Sequence, residues 1–139
     1  MKKIYVVILL AILSVGTYGQ INWSKHSGNP VFQGIGGQWD GYLAYIGSVI
    51  FHDDLHHMWY NNYDGNNIGY ATSPDGITWT RDGNNPVFGT GSTGRWDQEY
   101  AVCGGVVMVN DTLHMWYTGH DGDWSNLGIG HATSTDGVN

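Results

Sequence analysis

The chain has 139 residues, with five lysines and arginines against twelve acidic residues and a formal net charge of −7. Such an acidic surface repels nucleic acid and anionic lipid, so neither is expected as a partner. The single cysteine, Cys103, excludes an internal disulfide, and without a flanking positive charge it is expected to be a small buried hydrophobe.

Residues 1–19 have the three-part layout of a secretory signal peptide. Two lysines form a positive start, an apolar run follows from Ile4 to Leu13, and small residues precede a cut before Gln20. A membrane-spanning helix needs about 20 apolar residues, and this run is shorter. We therefore expect the mature protein to be secreted or periplasmic, with no membrane contact after cleavage.

The composition of the rest of the chain favours strands and turns over helices. Glycine, asparagine, aspartate, tryptophan and tyrosine are abundant, whereas lysine, glutamate and leucine are scarce. No stretch keeps its apolar residues at the 3.6-residue spacing of a helix. The sequence therefore predicts an all-β fold.

Most of residues 20–139 consists of one pattern that occurs twice. Four motifs return after 56 to 61 residues, and the spacing grows only in two turn-like stretches, the second around Trp124. The paired motifs are WSKHSGNPVF (23–32) with WTRDGNNPVF (79–88), GQWD (37–40) with GRWD (94–97), HMWY (57–60) with HMWY (114–117), and IGYATSPDG (68–76) with IGHATSTDG (129–137).

Each repeat predicts four short antiparallel strands joined by tight turns. Asp75-Gly76 is expected to form a type I′ hairpin turn, because this pair readily supplies positive φ angles. The predicted strands are residues 47–51, 55–63, 68–73 and 77–81 in the first repeat, and residues 104–109, 112–120 and 129–134 in the second.

Four antiparallel strands in about 57 residues, repeated, are typical of a β-propeller blade. In the second predicted strand Met58 and Tyr60 face one way and Trp59 the other, so both faces of a blade need a neighbour. Propellers have about 4 to 8 blades. This chain holds about two, near residues 23–78 and 79–139, so we expect the remaining blades of a longer parent chain as partners.

The repeated motifs resemble the blades of five-bladed propeller glycoside hydrolases. The matching elements are NPVF, a glycine loop, WD, MWY and IGYATSPDGITW, and they cover most of residues 21–139. The group includes arabinanases, β-xylosidases, invertases and levansucrases of families 43, 32 and their relatives. The resemblance implies a parent protein of five blades with a carbohydrate substrate.

The same resemblance implies a secreted glycoside hydrolase that acts on poly- or oligosaccharides, with carboxylates at the start of innermost strands. Family members often open this strand with Asp-Pro-Ser-Val. Here the matching residues are Ile46-Gly47-Ser48-Val49 and Cys103-Gly104-Gly105-Val106, so the aspartate is absent from both repeats. A non-catalytic propeller that binds glycans or proteins remains an alternative, as does a phosphorylase or transferase on a related propeller.

Three carboxylates are candidates for catalysis: Glu99, Asp97 and Asp40. Glu99 is the first choice because it is the only glutamate, lies just before an inner strand and replaces Tyr42 of the first repeat. Its alternative role is that of a solvated loop residue. Asp40 and Asp97 follow a tryptophan in both repeats, and this recurrence favours a structural role in which the ring packs between blades and the carboxylate caps a turn.

Five further side chains are candidates for binding sugar rings: Tyr42, Tyr45, Tyr100, His120 and Trp124. Aromatic faces suit the C–H faces of sugars, although packing between blades is the favoured use of the tyrosines. His120 differs from its repeat counterpart, and Trp124 lies in the four-residue insertion. That insertion is either a substrate platform or a lid on a neighbouring blade.

The segment HDDLHHMWY (52–60) is the densest cluster of titratable residues, but its repeat counterpart VNDTLHMWY keeps only one histidine. His56 and His57 should point to opposite faces of a strand, whereas zinc needs three or four converging ligands. We therefore expect a hairpin in which His57 packs and bonds across to the next blade. Neither a metal site nor a cofactor is expected.

Overall fold

The computed structural model describes residues 22–139, and the predicted signal peptide at residues 1–19 lies outside this range. Within it the chain forms two antiparallel β-sheets and a single turn of 3-10 helix at Trp124–Asn126. None of the helical structure between residues 22 and 139 has the length or apolar content needed to cross a bilayer.

The first sheet has five strands and the second has three. The first sheet contains β1 (Leu43–His52), β2 (Leu55–Asn62), β3 (Asn67–Ser73), β4 (Thr80–Arg81) and β5 (Phe88–Gly89). Strands β4 and β5 pair with different parts of the same edge of β3. The second sheet contains β6 (Tyr100–Val109), β7 (Thr112–His120) and β8 (Gly128–Ser134), in that order.

The innermost strands, β1 and β6, both begin four residues earlier than the sequence predicted. Their register shifts at Gly47 and at Gly104, which occupy the same position in the two repeats. A bulge of this kind leaves one residue unpaired and lets the ladder continue beyond it. The added residues include Tyr45 in β1 and Tyr100 in β6, and Tyr100 lines the cleft described below.

The predicted fourth strand (77–81) is reduced to the two residues of β4, and the prediction of a type I′ turn at Asp75-Gly76 is wrong. Only Gly76 has a positive φ there, and the Asp75 carboxylate accepts the N–H groups of Thr78 and Ile77 at 2.7 and 2.8 Å. These bonds, led by that of Thr78, hold the pKa of Asp75 well below its usual range. The N–H groups that would extend the strand are therefore used by a side chain.

The tight hairpin turns lie instead between the first two strands of each sheet. Asp53, Asp54, Asn110 and Asp111 all have φ angles between 47° and 60°. Positive φ at both central residues is the property of a type I′ turn, and aspartate and asparagine tolerate it better than most residues.

The two sheets pack face to face around a shared apolar core. Trp59 lies at its centre, is 1% exposed, and donates its indole N–H to the carbonyl of Gly137 at 3.1 Å. The buried members of this core are Trp59, Ile68 and Tyr70 from the first sheet with Cys103, Val106 and Leu113 from the second. The prediction that Cys103 is a buried hydrophobe is confirmed, and burial raises the pKa of its thiol to about 12.

Strands β1 and β6 run side by side at the contact between the sheets. A buried amide joins them, because Asn61 accepts the N–H of Cys103 at 2.8 Å and donates to the carbonyls of Cys103 and Tyr45 at 3.3 and 3.4 Å. The Ser48 hydroxyl accepts the N–H of Val106 at 3.0 Å. Since buried polar groups are costly when unpaired, these bonds fix how the sheets sit against each other.

The opposite face of the first sheet is covered by the segment that precedes β1 together with Trp79, which precedes β4. Met58, Tyr60 and Ala71 are buried there beneath Phe32, Trp39 and Trp79. The rings of Trp39 and Tyr60 stack with centroids 5.7 Å apart. The corresponding rings of the second sheet, Trp96 and Tyr117, stack at the same distance.

The prediction that His57 bonds across to the next blade is wrong. Its Nδ1 meets the hydroxyl of Tyr70, and its Nε2 meets the carbonyl of His52, so both contacts lie within the first sheet. The geometry follows from the register, because His57 pairs with Thr72 and its ring stacks along β3 onto Tyr70 at 5.9 Å.

Candidate functional site

An open cleft of about 720 Å³ lies at the end of the sheets where β1 and β6 begin. The start of β6, the end of β7 and the β7–β8 connection form most of it, and the β2–β3 turn of the first sheet closes one side. Its lining residues are Tyr63, Asp64, Glu99, Tyr100, His120, Asp121, Gly122 and Trp124. Four of the eight predicted site residues, Glu99, Tyr100, His120 and Trp124, therefore lie together.

Three stacked rings form one wall of this cleft. Tyr100 and His120 are nearly parallel, with centroids 4.9 Å apart and planes at 17°. The Trp124 ring lies over His120 with centroids 4.3 Å apart and over Tyr100 at 5.6 Å. Because Trp124 is 66% exposed, the wall offers an aromatic face to solvent.

Contacts from the first sheet hold Tyr100 in place. The N–H of Ala101 donates to the Gly65 carbonyl at 2.8 Å, and the Tyr100 ring packs where a Cβ on Gly65 would stand. Only glycine fits that position, since Gly65 also has a φ of 68°. The hydroxyls of Tyr45 and Tyr100 are 3.0 Å apart, and burial, followed by this hydrogen bond, raises the pKa of Tyr45 to about 12.

The four-residue insertion of the second repeat forms the 3-10 turn that carries Trp124. Asp123 caps it by accepting the N–H of Ser125 at 2.8 Å, and this bond lowers the pKa of Asp123. Asn126 donates to the Asp121 carboxylate at 3.2 Å. The insertion is thus a defined turn that places Trp124 over the cleft.

Glu99 is exposed at the entrance to β6. Its N–H donates to the carbonyl of His120 at 3.2 Å, and its Cγ would lie 3.4 Å from a Cβ at Gly122. Among residues 22–139 no hydrogen bond or ion pair engages the carboxylates of Glu99 or Asp64, whereas the Asp121 carboxylate accepts from Asn126. The cleft therefore presents two carboxylates that are free to meet a ligand.

Asp40 and Asp97 lie away from the cleft in buried positions. Asp40 is 1% exposed and accepts from Arg81 Nε at 2.8 Å, while Asp97 is 8% exposed and accepts from the Tyr117 hydroxyl at 2.8 Å. The structural role predicted from the sequence had each carboxylate cap a turn. Neither does so, because each points at the tyrosine of its own sheet. Tyr60 also lies 3.5 Å from Asp40. These contacts support a structural role for both.

Tyr42 is separate from the cleft lining as well. Its carbonyl accepts the N–H of Tyr63 at 2.8 Å, but its side chain is 84% exposed. Tyr45 touches the site only through its hydroxyl contact with Tyr100.

Two buried tyrosines should make the fold sensitive to alkali. Burial, followed by contact with Asp40 for Tyr60 and with Asp97 for Tyr117, raises both pKa values from 10.0 to about 12. The folded state thus favours the neutral phenols, and their contribution to stability is present below pH 10 and lost as pH rises towards 12. Urea unfolding at pH 8, 10 and 11 should show the decline. Tyr117→Phe should make this decline shallower, because only Tyr60 of the pair then remains, whereas Tyr42→Phe should leave it unchanged. An unchanged slope in Tyr117→Phe would contradict the assignment.

Comparisons by sequence identify no family, because no protein-family model and no curated protein matches the chain. Solved structures do match. A candidate glycoside hydrolase from Parabacteroides distasonis ATCC 8503 has a TM-score of 0.65 at 19% identity over 84% of this chain. A family 117 glycoside hydrolase from the marine bacterium Zobellia galactanivorans has a TM-score of 0.60 at 15% identity over 78%. A thermostable family-43 glycoside hydrolase has 0.55 at 17% identity over 70%.

The chain has a β-propeller fold similar to that of these solved structures. The predicted all-β propeller class and the resemblance to family 43 are thereby confirmed at the level of architecture. The chain spans 30%, 39% and 40% of the family-43, family 117 and Parabacteroides structures, respectively. It thus corresponds to a part of the fold of those structures.

Sequence reasoning missed four residues of the cleft: Tyr63, Asp64, Asp121 and Gly122. A signal for them was present, because Asp64-Gly65 and Asp121-Gly122 occupy the same turn of the two repeats. The sequence does not show that the β2–β3 turn of the first sheet lies beside the start of β6 in the second sheet. The predictions for individual site residues stay predictions until ligands are tested.

The arrangement offers carboxylates and rings rather than a cage for metal. No group of three or more histidine, cysteine, aspartate or glutamate side chains within residues 22–139 is placed to hold a metal ion. The side chains that line the cleft can transfer protons through their carboxyl groups, stack on a ligand and form hydrogen bonds with it.

Proposed function

We propose that the chain is part of a secreted glycoside hydrolase that acts on poly- or oligosaccharides, and that the cleft at the start of β6 binds the sugar. The observation that supports this most is the placement of the exposed Glu99 carboxylate beside the stacked rings of Tyr100, His120 and Trp124. The glycoside hydrolase fold supports the same proposal. Export rests on the signal-peptide pattern of residues 1–19.

The cleft has the two kinds of group that glycoside hydrolysis requires. Aromatic faces bind the C–H faces of a sugar ring, and Trp124 presents such a face to solvent. A pair of carboxyl groups then protonates the leaving oxygen and either activates water or attacks the anomeric carbon. Glu99 and Asp64 are the lining carboxylates without a protein partner in residues 22–139, so we assign Glu99 as the acid and Asp64 as its partner.

Hydrolysis of 4-nitrophenyl α-arabinofuranoside and β-xyloside tests the assignment. Glu99→Gln should lower kcat by about 10²-fold or more, because general acid catalysis contributes that much. Asp54→Asn is the matched control: it removes one carboxylate from the exposed β1–β2 turn at the opposite end of β1, and it should leave kcat unchanged. Equal turnover by the Glu99→Gln variant and the unsubstituted protein would remove Glu99 from the acid role.

A non-catalytic glycan-binding propeller is the second candidate, and one observation favours it. Ile46 and Cys103 occupy the positions at which the propeller glycoside hydrolases that the chain resembles often carry an aspartate. Burial raises the pKa of the Cys103 thiol to about 12, so this thiol stays neutral. Calorimetric titration with arabinotriose and xylotriose separates the two functions. Binding that is lost in Trp124→Ala, without turnover of any glycoside, would favour the non-catalytic propeller.

A further inference from the structure

His120 ends β7 beneath the ring of Trp124, and one backbone contact determines which ring nitrogen carries the proton in its neutral form. The N–H of Gly122 donates to His120 Nδ1 at 3.0 Å. A ring nitrogen that accepts a hydrogen bond cannot carry a proton, so the neutral imidazole must carry its proton on Nε2. His120 is therefore a hydrogen-bond donor through Nε2.

This donor has no acceptor in the described part of the chain. His120 is 5% exposed, and its Nε2 is buried without a hydrogen-bond partner among residues 22–139. A buried donor without a partner costs about 1–3 kcal/mol of desolvation, so proteins rarely keep one without a use. Because His120 lines the cleft, an acceptor brought by a ligand would satisfy it.

The charges around the cleft decide what that acceptor can be. Asp64, Glu99 and Asp121 line it, and no lysine or arginine does. A carboxylate or sulfate on the ligand would meet the negative charges of Asp64 and Asp121 and be repelled. An uncharged hydroxyl oxygen would meet no such penalty, and it suits a neutral imidazole N–H.

We infer that His120 Nε2–H donates to a hydroxyl of an uncharged sugar residue and thereby sets which sugar the cleft accepts. The inference rests on the proposed function and adds to it a specificity-determining residue. The Trp124 ring lies over the imidazole and is itself exposed, so a sugar that binds against this ring also lies next to His120. A site built around a hydrogen-bond donor discriminates strongly against ligands that lack the matching hydroxyl.

The first arm of the test needs no ligand. Long-range ¹H–¹⁵N NMR of the histidine rings, at a pH where His120 is neutral, should show its proton on Nε2. Detection of the Nδ1–H form would overturn the inference, because His120 would then have no donor to offer the cleft.

The second arm measures binding of arabinotriose, xylotriose and digalacturonate by calorimetry. His120→Phe keeps the stacked ring without the donor and should weaken trisaccharide binding about 3- to 10-fold, the range of one hydrogen bond. His120→Gln restores an N–H near Nε2 and should recover most of the affinity. His114→Phe, the matched change near the other end of β7, should have no effect, and digalacturonate should bind more weakly than either neutral trisaccharide.

The outcomes separate this inference from the proposed function. Trisaccharide binding that depends on Trp124 but is unchanged in His120→Phe would overturn the role of His120 alone. Tighter binding of digalacturonate than of the neutral sugars would overturn the selection for uncharged ligands. Absence of binding by every probe would overturn the proposed function and, with it, the inference. Thermal unfolding of each variant shows whether a loss reflects the site or the fold.

Discussion

Replacing Trp59 with alanine is expected to lower the free energy of unfolding by about 3–5 kcal/mol, the cost of removing a large aromatic side chain from a packed core. Trp59 is 1% exposed, packs against Tyr70 at 5.2 Å and reaches across the sheets to bond the Gly137 carbonyl. The substitution leaves a cavity between the two sheets and an unpaired carbonyl. Urea unfolding of the purified chain measures the difference.

Trp116 provides the matched control. It occupies the same position in the repeated HMWY motif, but it lies on the uncovered face of the second sheet and is 44% exposed. Trp116→Ala removes the same atoms and should cost less than about 1 kcal/mol, as is usual for exposed positions. Equal losses in the two variants would show that the sheets do not pack around Trp59 in solution.

Asp40→Asn should lower the free energy of unfolding by about 3 kcal/mol. Removal of one partner from a buried ion pair typically costs about 3–5 kcal/mol. The Asp40 carboxylate is 2% exposed and pairs with Arg81, which also packs over the ring of Phe32 and donates to the Gln33 carbonyl. Asparagine has nearly the same shape but no charge, so Arg81 would remain in place as an uncompensated cation. The midpoint of thermal or urea unfolding reports the loss.

The equivalent change in the second repeat, Asp97→Asn, should cost only about 1 kcal/mol, because the asparagine Oδ1 can still accept the Tyr117 hydroxyl and only the charge of the acceptor is lost. Asp97 meets the Tyr117 hydroxyl but no arginine or lysine within residues 22–139. An Asp97→Asn variant as unstable as Asp40→Asn would contradict the assignment of the difference to Arg81. If both variants instead lost glycosidase activity without losing stability, these aspartates would return as catalytic candidates.

The repeat explains why much of the fold was predictable from the sequence. The alternation of Met58, Trp59 and Tyr60 correctly placed large side chains on both faces of β2, and the turn motifs located most strand ends. The failures came where side chains compete for backbone groups. Asp75 captures the N–H groups of Ile77 and Thr78, and this local competition shortens β4 in a way that strand propensity does not reveal.

The candidate site was predictable only in part, because repeat comparison identifies residues but not distances. The positions where the repeats differ, Glu99, His120 and Trp124, do meet in one cleft. Asp64 was missed because its approach to β6 depends on how one sheet is rotated against the other. The unpaired donor at His120 Nε2 could not be predicted from the sequence either. It depends on the hydrogen bond from the Gly122 N–H to His120 Nδ1 and not on the residue type.

Gly47 has a consequence for the cleft although it lies outside it. A Cβ at this position would stand 2.5 Å from the Cβ of Cys103, so the two inner strands touch because this residue has no side chain. The two sheets are closest at this contact between β1 and β6. The distance between these two strands therefore affects the angle between the sheets. An alanine at position 47 would push β1 away from β6 and change the angle between the sheets. Asp64 would then move relative to Glu99, so Gly47 affects the width of the cleft from outside it.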